Sequence, residues 1–148
     1  MYETILVLVV IFIIIGILLL VFGNYNKNSI QNIQFDIERD AAFNLLYSLP
    51  NSEYMVYTYL GDQKGMIDSA KLLGVEIDNL GYKEIIVEEF SNNTIKCVRN
   101  NYPNCNYYEV YSKIPRRISS KQEVSRSVLV YNPFTKKSNP GKLIVRWY

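Results

Sequence analysis

Hydrophobic and polar positions fall into three regimes along this chain. From Ile5 to Phe22, eighteen residues (ILVLVVIFIIIGILLLVF) carry no charge. As a helix at ~1.5 Å per residue they rise about 27 Å, the thickness of a bilayer's hydrocarbon. The next stretch, SIQNIQFDIERDAAFNLLYSL, repeats apolar residues every three or four positions at Ile30, Ile33, Ile37, Ala41 and Leu45. That spacing predicts an amphipathic helix, capped by Ser29 and ended by Pro50. Gly23-Asn24 lies between the two. Either residues 3–49 form one rod roughly 70 Å long with a bend there, or NYNKN is a flexible joint between an anchor and a separate domain.

Beyond Pro50 the period shortens. MIDSAKLL (66–73) reads as a short helix capped by Asp68 and closed by Gly74. EIIVEEF (84–90), TIKCV (94–98), YYEVY (107–111), SVLVY (127–131) and KLIVRWY (142–148) read as strands. Alternation in the last sends Leu143, Val145 and Trp147 one way, and it sends the adjacent acids Glu88 and Glu89 to opposite faces. NPFTKKSNPG predicts a long-looped hairpin between the last two strands. The expected fold is α+β: an antiparallel sheet of four or so strands covered by the helix stripe, with Ile33, Ile37, Leu45, Val145 and Trp147 in the core. The expected organisation is 1–24, a hydrophobic helix; 25–50, its amphipathic continuation; and 51–148, a β head.

Composition narrows the chemistry. There is no histidine, which removes the usual general base near neutral pH and the commonest metal ligand. No phosphate loop, nucleophile elbow or metal-ligand spacing is present. No enzymatic activity, catalytic residue, metal or cofactor is therefore expected. Cys97 and Cys105 enclose seven residues, VRNNYPN. That spacing permits an intrachain disulfide in an oxidising compartment, and two unpaired thiols are the alternative. The formal charge of +2 is unevenly spread: residues 1–50 net −2, 51–115 net −3 and 116–148 net +7. The basic end is interleaved with strand patterning, so a solvated face or a subunit contact is expected in place of nucleic acid.

Targeting signals conflict. No Lys or Arg precedes the apolar run, and LLLVFGNYNKN offers no A-x-A-like cleavage site, so removal as an ordinary secretory signal is not expected. Lys27 and Arg39 follow the span, which by the positive-inside rule places the head inside. The cysteine pair and the sequon Asn92-Asn93-Thr94, with Asn92 the candidate glycosylation site, point outside. The conflict disappears if a basic leader has already been removed from a mature terminus at residue 1.

An apolar helix starting almost at residue 1, its amphipathic continuation and a small C-terminal sheet together resemble the type IV pilin superfamily, particularly archaeal pilins and pilin-like proteins. The resemblance covers the whole chain in architecture. It implies that residues 1–24, among them Ile5, Leu8, Phe12, Ile15, Leu19 and Phe22, leave the membrane and bundle as the core of an extracellular filament. The partners implied are copies of the chain or other pilins, with the cell membrane as host before assembly. Bacterial members carry a glutamate near the mature terminus that is thought to pair with a neighbour's amine. The matching carboxylate here is Glu3, nearer the start than in those members, and a place in the lipid headgroup layer is its other reading.

Two further functions fit the sequence. One is a single-span anchored accessory or partner-binding subunit of a membrane complex. The other is surface or glycan contact through some of the 13 tyrosines, including Tyr54, Tyr57, Tyr59, Tyr107, Tyr108 and Tyr111, set against half-buried packing with the hydroxyl in water.

Overall fold

The computed structural model describes the backbone of residues 2–59, 62–118 and 120–148; the side chains of 2–4, 28, 31, 32 and 62–64 lie outside the described residues. A single helix, α1, covers Tyr2–Ser48. Gly23-Asn24 is helical and not an interruption: one glycine costs about 1 kcal/mol relative to alanine, and it has long helix-forming stretches on both sides. The first proline of the chain, Pro50, stands where the helix gives way to a 3-10 turn, Leu49–Asn51. There the last carbonyls find side-chain donors. Asn51 Nδ2 donates to Tyr47 O at 3.1 Å, and Ser52 Oγ donates to Leu49 O at 2.7 Å.

The chain divides into two compact units, Met1–Arg39 and Asp40–Tyr148. In the first, every side chain from Ile5 to Lys27 is exposed, and an Asp36–Arg39 ion pair at 3.2 Å bridges one turn. Ile33 and Ile37, expected in the core, are 57% and 62% exposed in this unit. The helical stripe enters a core only over its last two turns, where Ala42 and Leu46 are buried and Leu45 and Leu49 pack beside them.

The second unit is built on six strands: β1 (Val56–Tyr59), β2 (Asp62–Asp68), β3 (Lys83–Glu89), β4 (Tyr107–Ser112), β5 (Gln122–Asn132) and β6 (Lys137–Trp147). Their order is β1-β2-β5-β6-β3-β4. The sheet is mixed, which corrects the antiparallel expectation: β2 runs parallel to β5 through Ile67–Val130 and Asp68–Tyr131. The short helix α2 spans only Ser69–Leu72, with Asp68 accepting from Ala70 N at 2.9 Å, because residues 66–68 are taken by β2. TIKCV is not a strand. It makes one parallel bridge, Lys96–Tyr107, before the chain bends into the Cys97–Cys105 loop.

The β5–β6 hairpin is longer than expected and its loop shorter, with pairing from Gln122–Trp147 to Asn132–Lys137. The turn is closed by Asn132 Oδ1, which accepts from Phe134 N at 3.0 Å and Thr135 N at 3.2 Å. Lys136 adopts the left-handed conformation, φ 55°. Pro140, read as a turn signal, is strand. It stands just beyond the β3 ladder, which ends at Glu89–Gly141, and its carbonyl accepts from Phe90 N at 3.0 Å. At Gly141 the strands approach closely, since a Cβ would lie 2.5 Å from Glu88 O. Gly141→Ala is therefore expected to force β3 and β6 apart and to destabilise the head by about 1–3 kcal/mol in chemical denaturation.

Val145 and Trp147 join Ile85, Val87, Leu143 and Val130 in the core, as the alternation predicts. Ile86 and Ile144 are also buried, on the opposite face of the sheet.

Candidate functional site

The segment Ile5–Lys27 has a mean hydropathy of 3.8 and is long and apolar enough to cross a membrane. Its exposure runs all the way round the helix. Ile5, Leu8, Phe12, Ile15, Leu19 and Phe22 are all exposed, from 46% at Ile15 to 72% at Phe12. Moving each such side chain out of water is worth about 1.5–3 kcal/mol, so a contiguous apolar surface of this size marks a place for lipid or for other helices. The side chain of Glu3 lies outside the described residues.

In the head, the acidic middle and the basic end of the sequence meet within one chain. Glu84 and Glu88 on β3 stand in register with Arg146 and Lys142 on β6, and Glu123 on β5 stands in register with Arg146. Lys142 Nζ lies 3.1 Å from Glu88, and Arg146 Nε lies 2.7 Å from Glu123 and donates to it. Tyr148 donates to Glu84, and burial followed by that hydrogen bond pushes its phenol up to about 12. Lys96 pairs with Glu109 at 2.9 Å, and this carboxylate holds its ammonium above the usual lysine range. Cross-strand neighbours thus pair two of the eight bases of the basic end, Lys142 and Arg146, within the chain. The exposed bases with no ion pair among the described residues include Arg116, Arg117, Lys121, Lys136 and Lys137.

The tyrosines divide. Tyr108 is buried, and burial pushes its phenol well above the tyrosine range, so it remains a donor to Glu89 at 3.0 Å. Tyr57 packs on Tyr131 with ring centroids 4.0 Å apart, and Tyr107 and Tyr111 are half-buried. Tyr54 and Tyr59 are exposed.

Cys97 and Cys105 form a disulfide with Cα atoms 5.1 Å apart. Within the loop Asn101 accepts from Val98 N at 2.9 Å and donates to Lys96 O at 2.8 Å, so backbone polar groups are satisfied at the bend. Cys97→Ser with Cys105→Ser is expected to lower stability by about 2.5 kcal/mol, the loop-closure value for so short a bridge. Denaturant midpoints with and without reductant check it. Asn92 is exposed, and its sequon threonine, Thr94, donates to Glu88 at 3.3 Å.

Sequence reasoning missed one feature, a polar cleft at the β5–β6 turn end of the sheet. Glu89, pointing inward opposite Glu88 as alternation requires, accepts from Asn139 Nδ2 at 2.6 Å as well as from Tyr108. Asn106, Asn132 and Thr135 also line it. Asn132 and Asn139 belong to the NPFTKKSNPG turn stretch and Asn106 carries no signal of its own, so only the strand register brings the three together.

Comparison with known proteins found no matching family, no matching curated protein and no matching solved structure.

Proposed function

We propose that this chain is a structural subunit of an extracellular, type IV pilus-like filament, assembled through residues 1–24 and held in the cell membrane before assembly. One observation carries the reading: an apolar helix, exposed on every side over Ile5–Lys27, continues without a break into a helix whose last turns belong to the core of a β head. A helix apolar all round needs lipid or like helices, and a head that repeats the same contact from copy to copy gives a fibre if the rotation does not close. The Cys97–Cys105 disulfide supports an oxidising, extracellular setting for the head.

The second reading is a single-span anchored subunit of a membrane complex, favoured by the fact that 23 apolar-rich residues suffice for one crossing in lipid alone. The two separate on sedimentation of the native material without detergent, with an intact-mass measurement of the subunit. Fibres that pellet, with a subunit mass showing a processed terminus, are expected. Detergent-dependent monomers with an unprocessed terminus would exclude the filament.

A further inference from the structure

The cleft at the turn end of the sheet has a volume of about 490 Å³ and lies wholly within residues 89–139 of the head. Its size suits a single small-molecule ring. Two charged side chains line it, Glu89 and Lys137, of opposite sign, so no cluster of like charges is present to hold an ion. Glu89 is 6% exposed and is already held by the Tyr108 hydroxyl and the Asn139 amide.

The amide orientations are fixed by the protein. Asn132 Oδ1 faces the N–H groups of Phe134 and Thr135, so its Nδ2 must lie on the other side. That nitrogen has no partner among the described residues, although the residue is only 6% exposed and lines the cleft. No side-chain polar atom among the described residues is both buried and unpartnered, so this nitrogen is reached by water at the cleft and can exchange that water for an acceptor on a ligand. Asn139 is set the opposite way. Its Nδ2 is committed to Glu89, which leaves Oδ1 as an acceptor. Asn106 is committed at both ends, accepting from Ile95 N at 2.7 Å and donating to Glu89 O at 3.2 Å, and so serves as wall. The cleft therefore offers one fixed donor and one fixed acceptor, the complement of hydroxyl groups, each of which both donates and accepts. Phe90, 60% exposed, and Pro103 add an apolar surface at the same cleft.

We propose that this cleft binds a neutral sugar ring, with adjacent hydroxyls on Asn132 Nδ2 and Asn139 Oδ1 and the apolar C–H face of the ring against Phe90. The site belongs to the head alone and does not depend on whether the N-terminal helices bundle.

The test is saturation-transfer NMR on the full chain in phosphatidylcholine nanodiscs, which contain no glycoside. The probes are free glucose, galactose, mannose and N-acetylglucosamine, with inorganic phosphate as the anionic control. At least one sugar is expected to receive saturation and phosphate to leave it undisturbed. Phe90→Ala and, separately, Asn139→Leu are each expected to weaken that sugar about tenfold, while circular dichroism stays unchanged. Phe90 lies beyond the end of β3 and Asn139 is exposed, so neither replacement removes core packing; Asn139→Leu takes one hydrogen bond from Glu89, which Phe90→Ala leaves in place. No transfer to any of the four sugars, transfer unaltered in both variants, or displacement by phosphate would overturn the proposal. A chain that pellets as fibres yet binds no sugar would refute the cleft and leave the filament reading standing.

Discussion

On the filament reading proposed above, Ile15→Asp is expected to leave the chain in the membrane and abolish its assembly. Seventeen of the eighteen uncharged residues from Ile5 to Phe22 are large and apolar. At about −0.3 to −0.6 kcal/mol each, they favour insertion by roughly 5–10 kcal/mol, whereas one central aspartate opposes it by about 3 kcal/mol. Insertion survives that difference. A helix bundle does not, because each subunit then buries an unpaired carboxylate among apolar side chains at a cost of several kcal/mol, repeated at every copy. The measurement is the share of chain in the membrane fraction against the share that pellets without detergent: the first close to wild type, the second lost. A variant that assembles normally would show that Ile15 faces lipid or solvent and not a neighbouring helix.

Trp147→Ala is expected to be the most damaging single truncation in the head, at about 3–5 kcal/mol. Trp147 is 6% exposed at the end of the central strand β6, paired with Lys83 on one side and Gln122 on the other. Domains of this size are stable by only about 5–15 kcal/mol, so the loss is a large fraction of the total. Chemical denaturation of the full chain in micelles checks it, with Tyr54→Ala, at a 70% exposed position, as a nearly neutral control. A change for Trp147→Ala no larger than for Tyr54→Ala would mean that the tryptophan is not core.

The features legible in the sequence are those set by local pattern. The apolar run, the helix end at Pro50, the cap at Asp68 and the alternation of Leu143, Val145 and Trp147 all depend on neighbours within a few residues. β3, β4, β5 and β6 could be seen for the same reason, each carrying a run of β-branched or aromatic residues.

The rest depends on distant partners. β1 has only four residues, and β2, though as long as β3, is mixed in composition and contains Gly65 at φ 65°. Pairing with β5, and of Ile67 also with β1, makes Ile67 and Asp68 strand where local spacing reads helix. Pro140 is tolerated in β6 only because the β3 ladder stops at Gly141. Ile33 and Ile37 repeat at helical spacing just as Leu45 does, yet the head's buried core takes in the helix only from Ala42 onward. The spacing is the same throughout, so nothing local marks that limit. The cleft was hidden for a related reason. An asparagine before a proline or glycine signals a turn, and nothing local tells that its amide will line a cleft with one hand free.

The filament reading is tested most directly by cryo-electron microscopy of the native assembly. It predicts fibres whose core is made of Ile5–Phe22 helices packed on one another at about 8–10 Å between axes, with the β heads outside. Particles in which each of these helices is surrounded by lipid or detergent, with no helix of another copy against it, would contradict it.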